Sequence, residues 1–289
     1  MRILVFIAFI FACIWAYYFF QEAYVPAPEL GEGSRYMHEP PNIRGPSPFY
    51  LWSPSKYALI LYLNGSDQEG IPDSCDTSRP GINIPETATD LAGMEVAGYE
   101  LLVFAFCTPT TVGGFNQPDG DGVTKVWRRA EELESLLAHI QRYDIPPERI
   151  FVMGQSAGAW AGLLVQRWGN TPFAGLIGFA PAFAGLHGRR LDVWQVERDR
   201  QADLIAEAPR IEALIYGFEQ DPYEPARAMG WLAEMPGVRY VELSGRHVLG
   251  IDCENRFPHS TVFKDCFGEF RQRQILDYIE ERITSGVLG

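Results

Sequence analysis

The chain has 289 residues, 47% of them hydrophobic and 21% charged. That ordinary globular balance excludes disorder, collagen and coiled coil as descriptions of the whole chain. The 24 basic residues against 37 acidic ones give a net charge of -13, which argues against nucleic acid or anionic lipid as a partner, because phosphate binding needs clustered Lys and Arg. A chain of this length buries a large core without metal or disulfide support.

Ile3 to Phe20 is an unbroken apolar and aromatic run preceded by Arg2. As a helix it measures about 27 Å, just enough to span a bilayer. Trp15, Tyr17 and Tyr18 gather at its distal end, where an aromatic belt sits. Arg2 favours an inside N-terminus and an exported bulk. Residues 1–22 are therefore expected to be a signal anchor, with a cleaved signal peptide as the alternative. The bulk of the chain is then extracytoplasmic and membrane-anchored, or secreted or periplasmic if the leader is cut.

Cysteine usage agrees with export. Outside the apolar run, which holds Cys13, the cysteines are Cys75, Cys107, Cys253 and Cys266. Four cysteines allow three pairings. The pairs nearest in sequence are Cys75–Cys107 and Cys253–Cys266, and four reduced buried thiols are the alternative. No Cys/His cluster has zinc spacing.

Residues 23–48 are proline-rich and aperiodic, a linker and irregular entry. Residues 49–289 alternate strand and helix signals. Ala58–Leu63 reads as a buried strand stopped by Asn64-Gly65. Glu86 to Ala97 reads as a short helix and Glu100–Phe106 as the next strand. From Thr124 to Tyr143 the apolar positions Val126, Ala130, Leu133, Leu137 and Ile140 mark one helical face. Pro146-Pro147 stop that helix. Strand Arg149–Met153, helix Ala157–Trp168, strands Leu176–Phe179, Ile211–Tyr216 and Val238–Leu243, and a closing helix Phe267–Ile283 complete the pattern. The expected fold class is α/β, with a mostly parallel central sheet covered by helices on both faces.

The sharpest motif is Gly154-Gln155-Ser156-Ala157-Gly158. It lies where an apolar strand ends and a helix begins. Glycines on both sides let the chain turn sharply and lift the Ser156 hydroxyl clear of the sheet. The helix that follows points its N-terminus at the spot, which favours developing negative charge. A plain Gly/Ser turn capping a helix is the bland alternative.

A serine hydroxyl needs a base, and the base needs an orienting acid. Both belong just past later strands of such a sheet. Strand Ile211–Tyr216 runs toward Asp221, the expected acid, with Glu219 as the alternative. Strand Val238–Leu243 runs toward His247, the expected base. His187 and His259, in loops without a strand immediately before them, are fallback bases; His139 and His38 are not candidates. The oxyanion hole needs two backbone N–H groups. One is assigned to Ala157, after the nucleophile. The other comes from Asn64-Gly65-Ser66, with Ser66 preferred and Gly65 next.

Strand, Asn-Gly-Ser, G-Q-S-A-G, then Asp and His in that order: the stretch from residue 50 onward resembles the α/β-hydrolase superfamily. Ile145 to Gly158 is similar to the dienelactone-hydrolase and feruloyl-esterase/polyester-depolymerase branches. Two departures are Asn64-Gly65 in place of His-Gly, and Ala159 in place of a further glycine after Gly158. The resemblance implies no metal and no organic cofactor. It places the cleft beside residues 183–209, where relatives insert a lid. Here that segment is short and charged at Glu197-Arg198-Asp199-Arg200, so the lid is minimal and long-chain triglyceride a poor substrate. Asp119 and Asp121 lack the twelfth-position Glu of a calcium loop, so no metal is expected.

The expected function is hydrolysis of a carboxylic ester, small-molecule or polymer-linked, through an acyl-enzyme. A peptidase, thioesterase or acyltransferase using the same triad is the alternative, and a non-catalytic binding module on this fold a third reading.

Overall fold

The computed structural model describes residues 29–38, 42–66, 75–76, 83–108, 110, 123–183, 185–244, 247–248, 251–252 and 258–286. The apolar leader, Asp119, Asp121 and Cys253 lie outside them. Among the described residues no helix is long and apolar enough to cross a membrane.

Eight strands form one sheet: β1 (Arg35–Tyr36), β2 (Tyr57–Leu63), β3 (Glu95–Val96), β4 (Tyr99–Phe106), β5 (Ile150–Gln155), β6 (Gly175–Phe179), β7 (Ala213–Phe218) and β8 (Val238–Leu243). The order across the sheet is β1-β4-β2-β5-β6-β7-β8. The strands from β4 to β8 are mutually parallel, while β1 and β3 pair antiparallel with β4. A separate hairpin joins β9 (His247–Val248) and β10 (Ile251–Asp252).

The helices are α1 (Glu86–Asp90), α2 (Lys125–Ile140), α3 (Ala157–Trp168), α4 (Asp192–Ala206) and α5 (Asp265–Ser285). Side chains alternate along each strand, so β2 sends Leu59, Leu61 and Leu63 to one core and Ala58, Ile60 and Tyr62 to the other. The first core is closed by α2, α3 and α4, the second by α1 and α5. Burial on both faces explains why the parallel strands read as continuous apolar runs.

The helix expected over Glu86–Ala97 ends at Asp90. Gly93 takes φ +81°, and Ala97 and Gly98 take φ 52° and 81°. Two successive positive φ values make the tight turn of a two-residue hairpin, and β3 pairs with β4 through it, Val96 opposite Tyr99. The clearest sequence helix forms largely as expected. The Thr124 side chain accepts from the Trp127 N–H at its start, and Asp144, left-handed at φ 60°, follows the last turn.

Within the proline-rich entry, Arg35–Tyr36 adds an edge strand, Arg35 opposite Ala105. The Gly31 N–H donates to the Cys107 carbonyl at 2.9 Å. Cys75 and Cys107 form a disulfide with Cα atoms 5.8 Å apart. Cys266 is also disulfide-bonded, and its expected partner Cys253 is outside the described residues.

Candidate active site

The site is built where the parallel strands end. Strand β5 delivers Ser156 into a backbone conformation of φ 55°, ψ -121°, a strained state for a residue with a Cβ. Hydrogen bonds hold it there. The Ser156 N–H donates to the Phe179 carbonyl at the end of β6 (2.9 Å), and its carbonyl accepts from Trp160 (3.1 Å) and Ala182 (3.2 Å).

Neither flanking glycine tolerates a side chain. A Cβ on Gly154 would fall 2.6 Å from the Ala159 nitrogen, and one on Gly158 2.6 Å from the Asn64 carbonyl oxygen. Strand β5 and helix α3 therefore approach as closely as the sequence motif requires, and the loop after β2 lies directly against them.

That loop is Asn64-Gly65-Ser66. Register places Leu63 opposite Gly154, so the two strand ends are level. A Cβ built on Gly65 would lie 3.1 Å from the Ser156 Cβ. Asn64 is buried, and its carbonyl accepts from the buried Arg129 guanidinium of α2, which fixes the loop. Among the described residues no hydrogen bond engages the N–H of Gly65, Ser66 or Ala157. Ala157 opens α3, so its N–H has no acceptor within the helix.

Past β7, Glu219 and Gln220 are exposed while Asp221 is buried. The Asp221 carboxylate accepts from the N–H groups of Tyr223 (2.8 Å) and Glu224 (3.4 Å) through Oδ1. Its Oδ2 lies 2.7 Å from Nδ1 of His259. A carboxylate accepts, so Nδ1 carries the proton, and in the neutral ring Nε2 is then left with a lone pair. The His259 ring packs on Tyr223, centroids 4.5 Å apart, and its backbone carbonyl accepts from the Gln155 side chain at 3.4 Å. The residue before Ser156 thus grips the histidine that faces Asp221.

His259 sits in a 3-10 turn, Pro258–Phe263, just before α5. His247, expected as the base, lies on β9, and its side chain is outside the described residues. The imidazole brought to Asp221 is that of His259, which follows β8 only after the β9–β10 hairpin. Glu219, the alternative acid, uses its N–H to bond the Leu243 carbonyl and leaves its side chain in solvent.

The segment after β6 packs against α3 and the loop past β7. Phe183 packs on Trp160, the His187 N–H donates to the Pro222 carbonyl at 2.8 Å, and α4 follows. A buried ion cluster latches it down: Arg190 lies 2.6 Å and Arg198 3.1 Å from the two oxygens of Glu224. The Glu224 side chain is wholly buried. These three charges were not singled out from the sequence, where Arg198 looked like part of a solvated run.

No protein-family model matches the chain, and no curated protein does. Solved structures match in fold. The structure of DcsB in complex with its substrate analogue is 13% identical, covers 79% of this chain and 92% of that one, and has a TM-score of 0.53. YeeB, a sugar hydrolase from Lactococcus lactis, is 15% identical over 79% of this chain and 91% of that one, at 0.50. MGS-M1, an α/β hydrolase from a Medee basin deep-sea metagenome library, is 11% identical over 89% and 99%, at 0.46. Identities this low speak to fold and not to substrate. With this strand order, a glycine-flanked serine turn after β5 and a buried carboxylate after β7, the chain has the α/β-hydrolase fold.

Proposed function

We propose that the chain is a serine hydrolase of carboxylic esters, with Ser156 as nucleophile, His259 as base in place of His247, and Asp221 as the group that orients the imidazole. The observation that carries this reading is the 2.7 Å contact between Asp221 Oδ2 and His259 Nδ1, on a histidine whose backbone is bonded to the residue before a strained serine.

In the proposed reaction Ser156 Oγ attacks the ester carbonyl carbon as its proton passes to His259 Nε2. The carbonyl oxygen becomes negative and is met by the N–H of Ala157 and that of Ser66 or Gly65. Collapse breaks the bond to the alcohol, which leaves with the proton from His259. Water then repeats the sequence on the acyl-enzyme, releasing the acid and restoring Ser156. Asp221 stays ionised and stabilises the imidazolium. No step calls for a metal or organic cofactor.

The domain is proposed to work on the exported side of a membrane, held by residues 3–20 or released if the leader is cut. Disulfide-bonded cysteines support an oxidising compartment.

The test is turnover of a short-chain aryl ester by wild type and by Ser156→Ala, with an amide and a thioester of the same acyl group alongside. A burst of alcohol in wild type, absent from the variant, and a preference for the ester are expected. Equal turnover by Ser156→Ala would remove the reading.

A further inference from the structure

The end of the sheet that carries Ser156 and Asp221 also receives the chain from its N-terminal side. Strand β1 runs antiparallel to β4 and starts at its C-terminal end, Arg35 opposite Ala105. Before it, the Gly31 N–H bonds the Cys107 carbonyl, one residue past β4. The parallel register sets Phe106, Leu63, Gly154 and Gly178 level on one rim. From β4 to β7 is four strand spacings, about 19 Å. Residues 21–30 span at most about 35 Å when extended.

The same rim presents an apolar surface. Leu191, Val193 and Val196 are 65%, 65% and 69% exposed, and Leu186 is 37% exposed. Val193 and Val196 stand one turn apart on α4, sharing a face, and Leu191 caps its start. Four aliphatic side chains this exposed, on one short segment, are not a scattered surface background. The segment is rigidly placed by Arg190 and Arg198 on Glu224 and by His187 on Pro222.

We infer that this aliphatic patch rests on a zwitterionic lipid bilayer, turning the mouth of the site toward the membrane, and that the ester hydrolysed is one carried in that bilayer by an apolar tail. The inference rests on the hydrolase reading and on the sequence of residues 3–20, whose apolar run tethers the domain within reach of lipid. The net charge of -13 disfavours an anionic surface. A bilayer suits the patch because its members are aliphatic and flush with solvent, whereas a bound acyl chain needs an enclosing groove. A bilayer ester also differs from a bulk triglyceride phase, which a large apolar lid would serve.

The test uses the full chain reconstituted in phosphatidylcholine vesicles, as wild type and as the triple variant Leu191→Asp, Val193→Asp, Val196→Asp. Two substrates are compared: a short water-soluble aryl ester and a long-chain ester dissolved in the same vesicles. The expected result is a soluble-ester rate within twofold of wild type and a vesicle-ester rate at least tenfold lower. Equal rates on both substrates overturn the inference and leave the hydrolase reading intact. A wild type inert toward both removes the hydrolase reading and this inference with it. Loss of both rates together with a change from dimer to monomer in detergent assigns the patch to a second copy of the chain, which also overturns it.

Discussion

His259 Nδ1 and Asp221 Oδ2 lie 2.7 Å apart across two loops separated by 38 residues. The contact is sealed: the Asp221 side chain has no solvent exposure and that of His259 only 8%. A buried carboxylate holding one imidazole nitrogen fixes the ring's tautomer as well as its orientation, and both are what a general base at Ser156 requires.

Asp221→Asn removes the charge while keeping an oxygen for the N–H groups of Tyr223 and Glu224. Turnover of a short ester is expected to fall roughly a thousandfold or more, with the thermal midpoint little changed. Glu219→Gln, in the exposed turn, is expected to keep near-normal turnover. A reversed pattern would move the acid to Glu219.

Gly158→Ala places a methyl group against the Leu63 and Asn64 carbonyls. Backbone cannot swing aside as a side chain does, so a stability loss of about 1–3 kcal/mol is expected, measured by urea unfolding. Because the displaced loop carries Gly65 and Ser66, turnover should fall more than tenfold in the fraction that remains folded. An unaltered urea midpoint would mean that the close approach of β2 and α3 is not needed.

Glu224→Gln leaves Arg190 and Arg198 facing a neutral amide in a buried site. Removing one member of a buried ion cluster typically costs about 3–5 kcal/mol. Since the turn that holds Glu224 also bonds Asp221 through the Glu224 N–H, KM is expected to rise as that turn loosens. Wild-type stability and KM in this variant would show the latch to be dispensable.

His139 is buried on α2 with Tyr143 Oη 3.3 Å and Ser47 Oγ 3.4 Å from Nε2. Burial, and then the charge of Arg142, holds its pKa below the ordinary 6.5. The unfolded chain therefore takes up this proton first as pH falls. The stability His139 contributes is complete above pH 6.5 and is lost as pH drops through the folded value. The urea midpoint of His139→Phe should fall less steeply below pH 6.5 than that of wild type, since its ring cannot titrate. Parallel curves for the two proteins would refute this.

The sheet, its helices and the serine turn were legible because each rests on local rules. Apolar runs such as Ala58–Leu63 mark strands buried on both faces, and glycines around Ser156 mark a turn that admits no Cβ. Asp221 was legible because it stands three residues past β7, where the carboxyl ends of parallel strands converge. The contact of His259 with Asp221 was not. His259 follows β8 only after the β9–β10 hairpin, whereas proximity to a strand end pointed to His247. One signal was available: Cys253 and Cys266, expected to pair, bracket His259. The Glu224 cluster was hidden for a different reason. Charge runs such as Glu197 to Arg200 read as solvated, and only tertiary packing shows that Arg198 turns inward while Arg200 stays out.

The central question is which histidine activates Ser156. Labelling of the full chain by a fluorophosphonate, which reacts with an activated serine, reads this directly in wild type, Ser156→Ala, His259→Ala and His247→Ala. Labelling of wild type and His247→Ala is expected, and none of Ser156→Ala or His259→Ala. Labelling of His259→Ala at the wild-type rate, with loss in His247→Ala, would contradict the assignment of His259 and return the base to His247.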